Sequence, residues 1–392
     1  MLKSQAPPGT GKTYTAASIM AAILERDPEA RILALAPPNI AVTKLVEEMD
    51  KAMDNCEKKE KMLALFSGNG KIRYAQYLRR ITSHLLVTAV DEEELIKALK
   101  PTEEKKAKQY QATVERNPRL AQEASVATIL QAHMERRICF ATLSFAEQVP
   151  NLFSGTTHVV LDESGQAPYS QVLSLMFNMP NLKKMLITGD RRQLKVHLES
   201  LPRAVRVGFG LDSVIINLDA SDGIGKTALQ IDYRSHPHIV QCIEAGFYRT
   251  HGERLIAGRN PEERNMLTAS RLKLPKAGKE PFWCDPDRVN VSLSRARHGL
   301  VLIGNLHILE QKKGWKEFLA EAKQKTIIVG QDYIDFIRIE CAQHNQEGEL
   351  MDATGKSVRS TQYYAEEGRR NKRRIPSTWC WPIEKKRKKI NQ

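Results

Sequence analysis

The sequence predicts an α/β fold built on a doubly wound, parallel sheet. Apolar residues recur at helical spacing over residues 13–26, and the short apolar run 31–36 that follows is typical of a buried strand. Three further apolar runs end in small or acidic residues, at 138–141, 157–161 and 184–188. Parallel strands end in this way when the carboxyl edge of the sheet carries the chemistry. A helix that leads into a strand, followed by several such strands, favours the α/β class.

The remaining patterns predict how the chain is divided. A second helix is expected over about residues 40–53, and the charged, glycine-free stretch 91–137 is expected to be helical and largely exposed. Later apolar runs at 300–303 and 326–329 suit a second α/β domain, and Trp315 and Phe318 suit the core side of a terminal helix. We predict a first domain over 1–205 with a helical insertion at about 55–137, an incomplete second domain over 206–335, and a basic, disordered tail over 336–392.

Composition excludes several classes of protein. With 392 residues, 41% hydrophobic and 27% charged, the chain is long enough for two or three globular domains. No apolar run approaches the roughly 18 residues of a membrane span, and the first residues lack the apolar core of a signal peptide. We therefore expect an intracellular protein with no membrane partner. The six cysteines are scattered without a Cys-x-x-Cys pair, which argues against a disulfide framework and a zinc ribbon.

The net charge of +14 is concentrated at the carboxyl end. Residues 359–392 hold 11 Lys or Arg and 3 Glu, a net +8, which leaves +6 for the other 358 residues. Basic clusters at 369–374 and 385–389 fit a bipartite nuclear import signal, and they equally fit a solvated tail that attracts polyanions. We expect a nuclear or cytoplasmic location, with the nucleus favoured.

Residues 6–13 match the phosphate-loop pattern, except that Ala6 stands where the first glycine is usual. Alanine costs little there at negative φ and about 1 kcal/mol or somewhat more at positive φ. In such a loop, backbone N–H groups and a helix N-terminus surround phosphates, the lysine reaches the outer phosphate oxygens, and the hydroxyl that follows binds Mg²⁺. The predicted nucleotide-binding residues are Pro8, Gly9, Thr10, Gly11, Lys12 and Thr13.

A second run, residues 220–227, fits a loosened form of the same pattern and ends in Lys226 and Thr227. It follows a strand-like run at 214–218 but opens no helix. The first candidate opens a good helix, but only five residues precede it, which is too few for a normal buried strand. We favour the first as the nucleotide loop and interpret the second as a polar turn.

Acidic residues follow two of the predicted strands. Asp162 and Glu163 have the arrangement in which one carboxylate holds Mg²⁺ and the next orients the attacking water. Asp190 follows another strand, with Gln193 three residues later. A strand that simply leaves the sheet through an acidic loop gives the same pattern, so neither pair is decisive alone.

Taken in order, six segments resemble the motifs of the Upf-like branch of superfamily 1 helicases. Residues 6–13 resemble motif I, 36–42 motif Ia, 161–167 motif II, 189–194 motif III, 229–237 the Tyr-Arg motif and 289–299 motif VI. The resemblance covers about residues 3–330. It implies two RecA-like domains of the P-loop NTPase class, with ATP and Mg²⁺ at their interface. It also implies ATP hydrolysis coupled to movement on single-stranded RNA or DNA.

The resemblance also assigns roles to individual residues. It implies that Thr13 and Asp162 hold Mg²⁺ and that Glu163 activates the hydrolytic water. It implies that Gln193 senses the γ-phosphate and that Arg234 and Arg297 reach that phosphate from the second domain. Tyr233 would lie near the base. Arg295 is a further candidate for such a role, although a lone arginine is usually a surface charge.

Two other features follow from the resemblance. Pro37, Pro38 and Asn39 would lie near the nucleic-acid backbone, where contacts position a strand without reading its sequence. Residues 91–137 occupy the place where this branch inserts accessory subdomains.

The sequence departs from the family pattern in two further places. The strand and the adenine-contacting Gln motif expected ahead of the phosphate loop are missing. Between 281–284 and 285–289 the family has most strands of the second domain and motif V, whereas here the flanking segments abut. The stretch from Pro237 to Val289 is therefore too short for the usual half of a RecA-like sheet.

Three functions are compatible with these observations. The first is an ATP-dependent helicase or translocase, and the second is a catalytically impaired relative that binds nucleotide or nucleic acid without unwinding. The third makes the basic tail the only active part. The choice between RNA and DNA, the direction of movement, the protein partners, the oligomeric state and the completeness of the chain are not predicted.

Overall fold

The computed structural model describes residues 1–54, 61–196, 198, 201–221, 223–260, 269–271, 285–297, 299–303, 306–325, 343–344 and 350–351. Met1–Phe318 form one compact unit and Leu319–Gln392 a second. The domain boundary predicted near residue 205 falls inside the first unit and stays a prediction. Within the described residues, no helix is both long enough and apolar enough to cross a membrane.

A seven-stranded parallel sheet forms the centre of the first unit. Its strands are β1 (Leu2–Gln5), β2 (Ile32–Ala36), β3 (Met62–Leu65), β4 (Ile138–Thr142), β5 (His158–Leu161), β6 (Lys184–Gly189) and β7 (Gly225–Ala228). Their spatial order is β3-β4-β2-β5-β6-β1-β7, and every neighbouring pair runs parallel. The predicted α/β class is confirmed, and β2, β4, β5 and β6 lie where the apolar runs place them.

The strand ahead of the phosphate loop corrects one expectation. β1 pairs in parallel with β6 on one side and β7 on the other, and its residues Lys3, Ser4 and Gln5 are buried. Four residues suffice because two neighbouring strands satisfy the backbone hydrogen bonds of β1. The prediction that the chain ahead of the loop is too short for a buried strand is wrong.

Helices cover both faces of the sheet. One face carries α1 (Lys12–Arg26) and α2 (Asn39–Met53), which pack against Ala34 of β2. The other carries α9 (Leu143–Gln148) and α10 (Tyr169–Phe177), which pack with Leu33 and Leu35 of the same strand. Because successive side chains of a strand point to opposite faces, one strand serves both cores. This is the doubly wound arrangement that the sequence predicts.

The insertion after β3 is helical. It contains α3 (Gly68–Arg73), α4 (Ala75–Leu78), α5 (Leu86–Ala89), α6 (Glu93–Ala98), α7 (Pro101–Arg116) and α8 (Glu123–His133), with 3-10 turns at Arg79–His84 and Pro118–Leu120. The predicted range 55–137 also holds β3, so the helical part starts after that strand. Residues 91–137 are largely exposed, as predicted, but their buried apolar residues, which include Ala107, Tyr110 and Leu130, pack into the main core.

A buried polar cluster stabilises this insertion. The ammonium of Lys71 donates to the Tyr110 hydroxyl at 2.7 Å and to the Glu123 carboxylate. The Tyr110 hydroxyl in turn donates to Glu123 at 2.5 Å. Lys71, Tyr110 and Glu123 are all under 10% exposed, so the three groups satisfy one another away from water.

The rest of the first unit is built from short elements. The helices are α11 (Arg203–Gly208), α12 (Val214–Asn217), α13 (Pro237–Ile243), α14 (Pro286–Leu293), α15 (Leu306–Leu309) and α16 (Trp315–Ala322), which extends past the end of the unit. Single turns lie at Pro150–Phe153, Ser164–Gln166, Leu218–Ala220 and Arg249–His251, and a π-helical turn at Glu244–Tyr248. Two small parallel sheets pair β8 (Ile231–Asp232) with β9 (Ile256–Ala257), and β10 (Ala269–Arg271) with β11 (Val301–Ile303). The core positions predicted for Trp315 and Phe318 are confirmed by exposures of 1% and 3%.

The strand-like run 214–218 is a correction. It forms α12 and a 3-10 turn, with Val214 and Ile215 buried and the Val214 N–H donating to the Ala167 carbonyl at 2.9 Å. Periodicity cannot separate a short buried strand from a short buried helix. The following run 220–227 leads into β7 at the sheet edge, where Lys226 donates to the Asp219 carbonyl at 2.7 Å. It opens no helix, as expected, but its last three residues, 225–227, belong to β7, so the interpretation of the whole run as a polar turn is wrong.

In the second unit, β12 (Gln343–His344) and β13 (Leu350–Met351) form an antiparallel pair inside the range predicted to be disordered. The predictions for 326–329, for 281–284 and for the basic clusters at 369–374 and 385–389 lie outside the described residues.

Candidate nucleotide-binding site

Topology brings four motifs to one edge of the central sheet. The loop 6–13 follows β1, Asp190 follows β6, Asp162 and Glu163 follow β5, and Pro37 follows β2. These strands are neighbours in the order β2-β5-β6-β1 and run parallel, so their carboxyl ends meet. Residues more than 180 positions apart therefore share one site.

The backbone of the loop requires glycine at two positions. Gly9 and Gly11 have φ of 75° and 79°, and Gly11 caps α1. A Cβ at Gly9 would lie 2.1 Å from Oδ1 of Asp232, so the loop passes directly against that residue. Ala6 is not in the left-handed region and is fully buried, with its N–H donating to the Gly189 carbonyl at 2.8 Å. Its replacement of the usual glycine therefore carries no backbone strain.

The loop also closes on itself. The Thr10 hydroxyl donates to the Pro7 carbonyl at 2.8 Å, and both Pro8 and Thr10 are buried. The polar side chain of Thr10 is thus used to hold the turn.

Lys12, at the start of α1, forms an ion pair across the sheet edge. Its Nζ lies 2.8 Å from Oε1 of Glu163, and the two side chains are 13% and 26% exposed. Burial lowers the pKa of Lys12, but the carboxylates of Glu163, Asp162 and Asp190 outweigh burial and hold that pKa above its ordinary value. The site thus contains a permanent positive charge.

Thr13 lies beside the buried carboxylate of motif II. Its hydroxyl donates to Oδ2 of Asp162 at 2.8 Å. Burial and the negative charge of Glu163 raise the pKa of Asp162 to about 6, while Lys12 and Thr13 oppose the rise. A hydroxyl and a carboxylate this close form an oxygen donor set of the kind that Mg²⁺ prefers.

Glu163 adopts an unusual backbone conformation. Its φ is 51°, and among the described residues it is the non-glycine residue found at positive φ. Its N–H donates to Oδ1 of Asp162 at 2.8 Å, which helps to hold the turn. Such a conformation costs about 1–2 kcal/mol and is often found at functional sites.

The buried carboxylate of Asp190 accepts four hydrogen bonds. Its Oδ1 accepts from Gln5 Nε2 at 2.8 Å and from the Arg192 N–H at 2.9 Å. Its Oδ2 accepts from Gln193 Nε2 at 3.0 Å and from the Tyr248 hydroxyl at 2.6 Å. Burial nevertheless raises the pKa of Asp190 above its ordinary value. Gln193, the predicted phosphate sensor, is therefore fixed by its own neighbour in the motif.

The Tyr-Arg segment is locked against the phosphate loop. The Tyr233 N–H donates to the Gly9 carbonyl at 3.0 Å, and Oδ1 of Asp232 accepts from the N–H groups of Arg234 at 2.6 Å and Ser235 at 3.1 Å. The Tyr233 side chain is 48% exposed. The structure thus places Arg234 beside the loop and leaves the ring of Tyr233 at the surface.

Arg234 interacts electrostatically with two other arginines and with Glu163. Burial lowers the pKa of the Arg234 guanidinium, the charges of Arg295 and Arg297 lower it further, and the carboxylates of Asp232 and Glu163 oppose them. Arg295 and Arg297 themselves are exposed. The predicted finger residues, which come from two distant motifs, are therefore close enough for Arg295 and Arg297 to act on the charge of Arg234, and Arg234 also interacts with Glu163.

Pro37, Pro38 and Asn39 connect β2 to α2 at the same edge. Pro38 caps α2, and the Asn39 carbonyl accepts from the Thr43 hydroxyl at 3.1 Å. A Cβ at Gly70 would lie 2.8 Å from Oδ1 of Asn39, so α3 of the insertion packs directly beside this turn.

Sequence reasoning missed several residues of the site. Gln5 and Tyr248 hold Asp190, Asp232 holds the Tyr-Arg segment, and Asn290 donates to the Tyr248 hydroxyl at 2.8 Å. Asp232 and Asn290 lie inside the segments that resemble the Tyr-Arg motif and motif VI, so their positions in the sequence could have indicated a role in the site. Gln5 and Tyr248 show no pattern, because their roles arise from pairing of distant segments.

Comparison with protein families identifies the family of the chain. The model of the AAA domain family AAA_19 matches residues 2–197, half of the chain. The chain is similar to a regulator of nonsense transcripts 1 homolog of Arabidopsis thaliana, with 27% identity over 254 residues, which are 62% of this chain and 18% of that protein. It is also similar to the Neurospora crassa homolog, with 44% identity over 48 residues, 12% of this chain and 4% of that protein. The chain thus spans less than a fifth of the length of these two relatives.

Among solved structures, the chain is similar to an arterivirus helicase, nonstructural protein 10, in complex with DNA. Sequence identity is 11%, the TM-score is 0.40, and the match covers 79% of this chain and 63% of that one.

Proposed function

We propose that the chain, which belongs to the AAA_19 family, is an Upf-like superfamily 1 helicase of the P-loop NTPase class and that it hydrolyses ATP. We propose further that hydrolysis drives movement along single-stranded RNA or DNA. One observation carries the proposal. The Lys12–Glu163 and Thr13–Asp162 pairs, each 2.8 Å apart, stand side by side at the carboxyl edge of the sheet.

The residues present fit ATP and Mg²⁺. Glycines at positive φ let the loop backbone turn around a phosphate, and the N-terminus of α1 points its N–H groups at the same place. Thr13 and Asp162 would hold Mg²⁺ together with phosphate oxygens. The ion would supply neutralisation of the charge that develops on the phosphates.

Each charged residue has a distinct task in this proposal. Lys12 binds the outer phosphates, and when it turns towards them it releases the carboxylate of Glu163. Glu163 then accepts a proton from the attacking water as a general base. Arg234 and Arg297 stabilise negative charge at the γ-phosphate, and Gln193, held by Asp190, orients towards it.

The segment next to Asn39 suits a nucleic-acid strand. Residues 61–90 contain no Asp or Glu, and Arg73, Arg79 and Arg80 are exposed. The Arg73 guanidinium stacks over the Tyr74 ring at 5.8 Å, and this ring lies 6.5 Å from that of Tyr77. Basic groups interleaved with aromatic rings bind single strands with little sequence preference. A strand held here would continue the path predicted along the motif Ia turn.

The test is steady-state ATP turnover measured while single-stranded RNA or DNA is titrated. We expect turnover that rises with either strand and is lost in Lys12→Ala. Lys226→Ala is a matched control, because Lys226 stands in the second loop-like run and has no part in the site; it should retain full turnover. ATP turnover that does not change when RNA or DNA is added would refute the coupling between hydrolysis and nucleic-acid binding. Folded protein that binds nucleotide without turnover would favour the catalytically impaired relative.

A further inference from the structure

A buried chain of hydrogen bonds links motif III to motif VI through Tyr248. Gln193 Nε2 and the Tyr248 hydroxyl both donate to Oδ2 of Asp190, at 3.0 and 2.6 Å. Asn290 Nδ2 donates to the Tyr248 oxygen at 2.8 Å. Tyr248 and Asn290 are 0% exposed, Asp190 is 2% exposed and Gln193 9%, so water does not compete for these bonds.

The direction of these bonds is fixed by chemistry. A phenol has one proton, and it is donated to the Asp190 carboxylate, so the oxygen of Tyr248 is left to accept from the Asn290 amide. Burial and the charge of Asp190 raise the pKa of Tyr248 well above its ordinary value, so the hydroxyl stays protonated and keeps its donor role.

These hydrogen bonds join the motif that is predicted to sense the γ-phosphate to the helix that precedes the predicted arginine fingers. Asp190 and Gln193 follow β6, which lies between the strands that carry Glu163 and the phosphate loop. Asn290 stands on α14, five residues before Arg295 and seven before Arg297. The same Asn290 Nδ2 also donates to the Arg192 carbonyl at 2.9 Å, so α14 is attached to the motif III turn directly at Arg192 and indirectly through Tyr248.

The local structure keeps Tyr248 in place. It ends the π-helical turn Glu244–Tyr248. A Cβ at Gly246 would lie 2.7 Å from the Gly314 carbonyl, so the turn is tightly packed from behind. π-helical turns are rare and frequently occur at functional sites.

We propose that Tyr248 is a positioning residue, whose hydroxyl couples the state of the γ-phosphate at Gln193 to the placement of Arg297 by α14. The proposal rests on the proposed function, because it concerns the same nucleotide. A change in the position of Gln193 shifts the Asp190 carboxylate to which it donates. Because the Tyr248 hydroxyl is bonded to that carboxylate and to Asn290, the shift reaches Asn290 and α14.

Tyr248→Phe tests this, since it removes only the hydroxyl. Tyr110→Phe is the matched control, because Tyr110 is also buried, also donates to a carboxylate and lies in the insertion away from the site. We expect Tyr248→Phe to lower kcat about tenfold with KM changed less than about twofold. Both variants should lower the unfolding midpoint, but Tyr110→Phe should keep its kcat. An unchanged kcat in Tyr248→Phe would overturn the proposal.

A double-mutant cycle with Asn290→Ala tests the relay itself. If the two residues act in series, the double variant should lose no more kcat than the worse single variant. Independent, multiplicative losses would contradict the relay. Asn290→Ala alone should also reduce kcat, which keeps the proposal testable if Tyr248→Phe does not fold.

A binding measurement separates this proposal from the proposed function. The ratio of affinities for a β,γ-imido ATP analogue and for ADP reports γ-phosphate sensing without any turnover. The ratio should fall in Tyr248→Phe and stay at the wild-type value in Tyr110→Phe. If the wild-type chain shows no turnover, the proposed function fails. The role of Tyr248 is then tested by the affinity ratio alone, and a ratio that Tyr248→Phe leaves unchanged would overturn that role.

Discussion

Nζ of Lys12 and Oε1 of Glu163 lie 2.8 Å apart. The residue predicted to bind phosphate thus holds the residue predicted to activate water. While this pair is intact, neither group is available for its task. In the proposed mechanism, arrival of a triphosphate would exchange one negative partner of Lys12 for another and would leave the carboxylate of Glu163 ready to accept a proton.

Glu163→Gln should therefore bind ATP more tightly than the wild type. The substitution removes the carboxylate that competes with phosphate for Lys12. We expect an affinity gain of about fivefold, equivalent to about 1 kcal/mol for a partly exposed ion pair. A fluorescence titration with a labelled ATP analogue measures it. Equal or weaker binding would show that the pair does not compete with the nucleotide.

Gly9→Ala should destabilise the fold more than Gly11→Ala. Both glycines have positive φ, which costs alanine about 1–2 kcal/mol. Only at Gly9 does a Cβ also meet Asp232 and Arg234, at 2.1 and 2.9 Å, whereas at Gly11 it meets nothing within 4 Å. Urea unfolding without nucleotide should show a further loss of about 1–3 kcal/mol for Gly9→Ala. Equal losses would mean that the Tyr-Arg segment does not pack on the loop.

The stability contribution of Lys3 should depend on pH. Lys3 is 4% exposed and pairs with Asp219; burial, then the charges of Arg191 and Lys226, lower its pKa to about 8 against the opposing charge of Glu253. Between pH 8 and the ordinary value of 10.5, the unfolded chain therefore binds more protons than the folded chain. The free energy of unfolding attributable to Lys3 must rise with pH across that window.

The comparison is between wild type and Lys3→Met. The wild type should gain unfolding free energy relative to Lys3→Met as pH rises from 8 to 10.5, and Lys226→Met, which removes one of the charges that lower the Lys3 pKa, should reduce the pH dependence of stability. A difference between wild type and Lys3→Met that is constant with pH would contradict the lowered pKa.

Arg73→Ala should weaken single-strand binding in a salt-dependent way. If Arg73 contacts a phosphate, its removal should reduce the slope of log affinity against log salt concentration by about 0.7. Lys105→Ala removes an exposed charge from α7 of the same insertion and should leave the slope unchanged. Equal slopes for wild type and Arg73→Ala would place the strand elsewhere.

Much of the fold could be read from local patterns. Apolar runs predicted β2, β4, β5 and β6, because a buried parallel strand must be apolar on both faces. β1 was missed, since Lys3, Ser4 and Gln5 are polar and become buried only through pairing with β6 and β7. The run 214–218 was assigned to the wrong element because four or five apolar residues have no resolvable period.

The site could be predicted where chemistry demands a residue type at a fixed spacing. Lys12, Thr13, Asp162 and Glu163 are of this kind, and the structure brings them within hydrogen-bonding distance in pairs. The positions of Gln5, Tyr248 and Asn290 follow from long-range packing, so no local pattern reveals them.

Steady-state hydrolysis of ATP by the wild-type chain and by Glu163→Gln, with nucleotide binding measured on the same samples, tests the central claim most directly. We predict Mg²⁺-dependent turnover by the wild type, reduced about 10²- to 10⁴-fold in Glu163→Gln while binding is retained. Turnover that survives in Glu163→Gln, or a wild-type chain that binds ATP and never hydrolyses it, would contradict the assignment of this edge as an ATPase site.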